Sequence, residues 1–304
     1  MNDDTPVREM QPRLEGRCCE HRDPISHAGD PGTSSEVRSS LDRPDCCEQR
    51  ECVIRIDGLQ VSYAGVPALR GVSMPIHRGC ITAVVGASGC GKSTFLSSLN
   101  RLTDLIPTCT VNGRVLLDGR DILDRRIDVI ALRRRVGMIF QKPNPFPLSI
   151  RKNLTFPLRE HGVRDRTTRM HKAETALRQV GLWTEVKDRL DAPAFDLSGG
   201  QQQRLCLARA LVLDPEVILL DEPCSALDPI ASGVVEDMIA ALRGRYTTVI
   251  VTHNLAQARR IADDVAMFWV EDGVGTLVEH GAAAKLFEAP DCETTAAYLR
   301  GARG

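Results

Sequence analysis

No stretch of the 304 residues approaches the roughly 18 to 20 consecutive apolar residues that a membrane-spanning helix requires. The opening MNDDTPVREMQPRLEG also lacks the uninterrupted apolar core of a secretory signal. The chain is therefore expected in the cytoplasm, reaching a membrane only through a partner. Residues 1 to 50 contain no aromatic and few aliphatic residues, and are rich in Asp, Glu, Arg, Ser and Pro. Such a segment cannot bury enough apolar surface to offset its chain entropy, so a disordered polar tail is expected over 1–50 and a folded domain over 51–304. A charge excess is missing too: a net charge of −1 leaves no electrostatic footprint for nucleic acid. The eleven cysteines are odd in number and come without a secretory signal, which argues for reduced thiols. Cys18-Cys19 and Cys46-Cys47 are adjacent pairs and lack the C-x₂-C spacing of a metal chelate, so incidental thiols are expected.

From Val53 onward, short β-branched runs such as CITAVVG, EVILLDE and TTVIVTH alternate with helical stretches. This alternation predicts an α/β fold, a parallel sheet flanked by helices. Between Gln141 and about residue 200 strong strand runs are missing. Met170, Ala173, Leu177 and Val180 recur there at helical spacing before Gly181, a C-cap candidate, and predict a helical insertion over about 141–200.

GASGCGKST, Gly86 to Thr94, fits G-x-x-x-x-G-K-[ST], with a strand-like run before it and a helix-like run after it. Gly86, Gly89 and Gly91 permit a backbone whose amides point at phosphate oxygens, and the helix start adds positive potential. Lys92 would reach the β and γ phosphates and Ser93 would ligate Mg²⁺. Cys90 lies in this cradle, where amide dipoles and Lys92 are expected to favour its thiolate. EVILLDEP, Glu216 to Pro223, ends a buried-strand run in two acids. Asp221 is placed to hold Mg²⁺ and Glu222 to polarise an attacking water. LSGGQQQR, Leu197 to Arg204, opens a second helix with Ser198, Gly199 and Gly200, a second anion cradle. One ATP has no need of two cradles in one chain, so each is expected to face the other copy in a dimer that sandwiches two ATPs.

Together these segments resemble the nucleotide-binding subunits of ABC transporters: a P-loop NTPase domain with a RecA-like core, an antiparallel β subdomain and an inserted helical subdomain. GASGCGKST resembles the family's Walker A, LSGGQQQR its signature and VILLDE its Walker B, in the family's order. The resemblance implies that Gly86, Ala87, Ser88, Gly89, Cys90, Gly91, Lys92, Ser93 and Thr94 contact ATP, and that Tyr63 stacks on adenine. It implies Gln141 as a sensor of Mg²⁺ and the γ-phosphate, Glu222 as catalytic base and His253 as the switch histidine. Leu197, Ser198, Gly199, Gly200 and Gln201 would complete the site of the opposite subunit, with Ser225, Ala226, Leu227 and Asp228 as the D-loop. NRLTDLIP, LRRRVGMIFQKPNPFPLSI and SALDPIA further resemble the ATPases of high-affinity phosphate importers. That resemblance implies a homodimer on the cytoplasmic face of the inner membrane, bound to two integral-membrane permease subunits and served indirectly by a phosphate-binding protein.

QKPNPFP, residues 141 to 147, places three prolines in seven residues. Neither helix nor central strand continues through them, so a stiff loop is expected, with Gln141 towards nucleotide and an exposed Phe146 towards the membrane partner. Three departures from the family pattern stand out: Cys224 for the usual Thr or Ser, Arg151-Lys152 for an aromatic-acidic pair, and a slightly longer hairpin in WVEDGVGTLVEHG. The same engine serving phosphonate or a polar amino acid is the alternative. A soluble ABC ATPase acting on DNA or ribosomes is disfavoured by the lack of a long coiled coil and of a second cassette.

Overall fold

The runs ITAVVG, VILLD and TTVIV have no polar face, so they can lie only where both sides of a sheet are covered. In the computed structural model, which describes residues 50 to 301, they form the centre of one ten-stranded sheet. The expected tail, apart from Arg50, lies outside the described residues, and so do Cys18-Cys19 and Cys46-Cys47. The strands are β1 (Cys52–Tyr63), β2 (Val66–His77), β3 (Ile81–Gly86), β4 (Cys109–Leu117), β5 (Arg120–Asp121), β6 (Val136–Ile139), β7 (Val217–Asp221), β8 (Thr247–Val251), β9 (Asp264–Glu271) and β10 (Val274–Ala282). Their order is β5-β4-β1-β2-β10-β9-β3-β8-β7-β6. From β9 to β6 all neighbours are parallel, whereas β1, β2, β4 and β5 form an antiparallel unit.

Side-chain alternation builds two cores, one on each face of the parallel strands. Ile81, Ala83 and Val85 of β3, with Ile218 and Leu220 of β7, pack into one. Val84, Val217 and Leu219 pack into the other, together with Phe95 and Leu96 of α1 (Lys92–Ser98). Each of the larger fully buried side chains contributes about 1.5 to 3 kcal/mol, which makes this centre the rigid frame of the molecule. The outer hairpins close through the two-residue loops Ala64-Gly65, Asp118-Gly119 and Asp272-Gly273, all at positive φ. The β9–β10 hairpin absorbs Val278 as a bulge between Leu277 and Glu279.

After α2 (Val129–Arg135) and β6, the chain leaves the sheet for α3 (Ile150–Glu160), α4 (Arg166–Gln179), α5 (Trp183–Val186) and α6 (Gly199–Leu211). Ser149 and Asp165 cap α3 and α4 through their side chains. Gly181, at φ 62, ends α4: its amide bonds to the Arg178 carbonyl and that of Leu182 to the Leu177 carbonyl, a Schellman closure. Arg151 binds Asp191 through two 2.8 Å bonds, so the first of the two unusual basic residues staples this layer together. The chain then completes the core with α7 (Pro229–Ala241), α8 (Leu255–Ile261), α9 (Ala283–Glu288) and α10 (Glu293–Leu299).

Candidate active site

In a parallel sheet, ligands collect beyond the carboxyl ends of the strands. Register brings three of the predicted residues to that edge: Ile139 pairs with Leu220 and Asp221 with Val251, so Gln141, Glu222 and His253 each follow the end of an adjacent strand. Gln141 Nε2 and His253 Nδ1 both lie 3.2 Å from Glu222 Oε2. Glu222 has φ 45, unusual for a residue with a Cβ, and its amide donates to the Val251 carbonyl at 3.0 Å. Backbone strain of about 1 to 3 kcal/mol at one such position is the kind of cost found where a side chain must be aimed.

The P-loop follows β3 and enters α1 with Gly91 as N-cap in left-handed geometry, no side chain capping the helix. Lys92, only 7 % exposed, folds its ammonium over the loop and donates to the carbonyls of Gly86 and Ala87 at 2.8 and 2.7 Å. Cys90 departs from expectation. Its side chain turns under the loop and is fully buried, and burial raises its pKa more than the nearby Lys92 lowers it, so the thiol form is favoured. The cradle is built from Cys90's backbone, not its sulfur. Beneath it lies Gly275, where a Cβ would come within 2.3 Å of the Cys90 carbonyl oxygen. No sequence motif marks that glycine.

Ser93 Oγ donates to Asp221 Oδ1 at 3.0 Å. Burial, with Glu222 adding like charge, holds the Asp221 carboxyl above the usual carboxylate range despite the Ser93 bond. A hydroxyl beside a carboxylate is the hard-oxygen donor set that suits Mg²⁺. Tyr63 ends β1, half-buried, with its hydroxyl 3.4 Å from Thr94 Oγ1, so the aromatic stands beside the P-loop helix.

Ser198 caps α6 and forms a capping box with Gln201. Gly199 and Gly200 face Leu227 of the D-loop and Ala231 of α7, and do not meet the P-loop of their own chain. Asp228 closes the D-loop by capping α7 through the amides of Ile230 and Ala231. Signature and D-loop are thus adjacent, and the D-loop joins directly onto the Glu222 cluster, the Ser225 hydroxyl donating to the Glu222 carbonyl at 3.1 Å.

Phe146 departs from the expected exposure. It is half-buried, edge-on to Phe156 with 5.9 Å between centroids, and under the Arg209 guanidinium at 4.2 Å. Asn153, fully buried in α3, accepts from the Phe146 amide at 2.8 Å and donates to its carbonyl, and Arg209 holds Asn144 through two 2.9 Å bonds. The proline loop is tied to the helical layer by these two side chains, neither of which a motif identifies.

A family model described as "ABC transporter" matches residues 69–225. The phosphate import ATP-binding protein PstB 1 of Nitrosococcus oceani is 61 % identical over 259 residues, 85 % of this chain and 93 % of that protein. Among solved structures, cbiO1 of Clostridium perfringens, part of the ABC transporter complex cbiONQ, superposes with a TM-score of 0.67 at 26 % identity, covering 83 % of this chain and 95 % of the other. A bacterial Atm1-family ABC exporter with ATP bound gives 0.66, also at 26 % identity, over 83 % of this chain and 42 % of that one. With the P-loop, the paired acids and His253 assembled as above, the chain belongs to the ABC transporter family, as one of its ATP-hydrolysing subunits.

Proposed function

We propose that the chain drives import of inorganic phosphate, working as a homodimer on the cytoplasmic face of the cell membrane beneath two integral-membrane permease subunits. A phosphate-binding protein delivers the solute to the permeases and does not touch this subunit. The observation that carries the reading is the 61 % identity to a phosphate import ATP-binding protein across nearly the whole of both chains. No helix among the described residues is long and apolar enough to cross a membrane, consistent with a peripheral subunit. In this reading residues 51–304 are the ATPase domain, with a helical subdomain over about 141–200.

ATP binds with its phosphates on the amides of Gly86 to Thr94, Lys92 exchanging its two carbonyl partners for β- and γ-phosphate oxygens. Ser93 and Asp221 would hold Mg²⁺, with Gln141 at its rim; the ion would neutralise charge on the β- and γ-phosphates. Tyr63 stacks on adenine. Glu222 takes a proton from a water that attacks the γ-phosphorus, the bond to ADP breaks, and inorganic phosphate leaves; His253 holds the water and the γ-phosphate. Ser198, Gly199 and Gly200 close the phosphates from the other subunit, with the D-loops between the two sites.

The test is ATP-dependent uptake of labelled phosphate by vesicles holding the reconstituted complex. Uptake of phosphate over phosphonate and amino acids is the expected result, and equal or preferred uptake of another solute rejects the assignment. Glu222→Gln should retain ATP binding and lose roughly 10² to 10⁴ in turnover, about 3 to 5 kcal/mol.

A further inference from the structure

A polar cavity of about 370 Å³ opens beside the Glu222–His253 contact, with D-loop residues on its far wall. Among its lining groups that belong to no motif, two are buried and strongly polar. Gln257 on α8 is 2 % exposed and Glu236 on α7 is 9 % exposed, yet both are polar and Glu236 is a carboxylate. Burying such groups is costly unless each finds partners. They find each other: Gln257 Nε2 donates to Glu236 Oε1 at 3.2 Å. Arg260, one turn further along α8, pairs with Glu236 and also with Asp237 at 3.0 Å. Cys224, the second residue after Glu222, lines the same cavity, with its sulfur 4.0 Å from the Ser232 carbonyl of α7.

The position of this pair on its two helices gives it consequence. α8 starts directly after His253, with Asn254 as its cap, and the Asn254 side chain accepts from the Gln257 backbone amide at 3.1 Å. α7 starts directly after the D-loop, with Asp228 as its cap. The buried bond therefore joins the helix that follows the switch histidine to the helix that follows the D-loop, and Cys224 sets the segment after Glu222 against that same α7. An apolar pair would fill the same volume but slide; a hydrogen-bonded amide and carboxylate fix register and direction.

We propose that Gln257 and Glu236 are positioning residues for ATP hydrolysis, a buried strap that makes α7 and α8 move as one body and keeps His253 in register with Glu222 and the D-loop. This rests on the reading of Glu222 and His253 as the hydrolytic pair. Losing the strap leaves the P-loop untouched, so nucleotide affinity is retained while turnover falls.

The test is a charge swap in the full-length chain, read by steady-state hydrolysis, ATP binding and thermal melting. Gln257→Glu sets two carboxylates against each other and should lower kcat at least ten-fold, since misplacement by about 1 Å can cost 10²-fold, with ATP affinity held within about two-fold. Glu236→Gln keeps an acceptor for the amide but discards the charge that Arg260 holds, and should fall between parent and Gln257→Glu. The double variant restores an amide–carboxylate pair, with the new carboxylate three residues from Arg260, and should recover kcat to within about three-fold of the parent. Unchanged kcat in Gln257→Glu, or a double variant that folds and binds ATP but stays slow, overturns the proposal. A double variant that fails to fold assigns the pair to core stability and overturns it equally. Glu222→Gln, assayed alongside, separates the premises: near-normal hydrolysis there rejects the hydrolytic pair itself, whereas its loss with Gln257→Glu unaffected rejects only the strap.

Discussion

Two helices in this chain begin with glycines and carry no acidic residue in their first turns, and they are built in opposite senses. The P-loop is locked by its own subunit. A Cβ at Gly86 would lie 2.1 Å from the Phe268 carbonyl oxygen and one at Gly91 2.4 Å from Leu69 Cδ2, both with φ positive. The start of α6 is the reverse: Ser198 caps the helix itself, and a Cβ at Gly199 meets nothing nearer than 4.0 Å, at an ordinary φ. Packing inside the subunit explains the first pair of glycines and leaves Gly199 unexplained. A small residue with open space in front of it is what a close approach from outside demands, which is why the composite dimer site suits this end of the molecule.

The sharpest way to break the contrast is to damage each cradle in a different subunit. Lys92→Ala and Ser198→Arg should each cost roughly 10²- to 10³-fold in hydrolysis, the scale of losing one preorganised phosphate contact. In a mixed dimer both lesions fall on one site and the other is intact, so co-expression should regain activity that neither variant has alone. Verified mixed dimers without recovery would show that the cradles do not meet in pairs, or that both sites must fire together.

The next comparison is one of stability. Gly86→Ala presses a methyl onto backbone of the neighbouring strand, which no rotamer change can relieve, and should cost about 3 kcal/mol, or roughly 6 to 12 °C in Tm. Gly199→Ala should leave Tm within about 2 °C while abolishing ATP-driven dimerisation on a sizing column. Equal melting losses would place both glycines in the subunit's own packing.

The same contrast explains what is legible in the sequence. GASGCGKST is contiguous, and a cradle of successive amides needs no distant partner, so residue order alone describes it. The strand ends are legible for a related reason: β-branched runs announce β7 and β8, and parallel register then sets Glu222 beside His253. The features that stay hidden depend on residues far apart. The Gln257–Glu236 pair spans two helices with no periodic signature, since a buried Gln reads in sequence as one more surface residue. Gly275 supports the P-loop from a hairpin that reaches it only after the sheet has closed. Phe146 reads as exposed in the sequence because its neighbours, Phe156 and Arg209, belong to other helices.

The half-burial of Phe146 yields a smaller prediction. Phe146→Ala removes an aromatic edge contact and a cation over the ring, together about 1 to 2 kcal/mol. A Tm drop of roughly 2 to 8 °C is expected, with phosphate uptake falling more than hydrolysis by the purified subunit, because the Asn153 and Arg209 bonds to the loop remain. Hydrolysis and uptake lost in equal proportion would mean that the loop serves folding alone.

The smallest effect should come from Cys90, and its smallness discriminates. Within the P-loop the Cys90 side chain turns inward, so it is fully buried against the second core while Lys92 Nζ stands 3.7 Å from its sulfur. Burial raises the thiol's pKa and the lysine only partly offsets this, so at neutral pH there is little thiolate and no path for a reagent. In the proposed binding mode ATP would draw the Lys92 ammonium onto the phosphates and away from the sulfur, which removes what favours the thiolate. Native protein treated with iodoacetamide should therefore show almost no label at Cys90 by mass spectrometry, with or without ATP, and full label after denaturation. Strong labelling that ATP suppresses would mean that the cradle opens far enough to turn Cys90 outward, and that the P-loop is less rigidly held by its own subunit than the contacts at Gly86 and Gly91 imply.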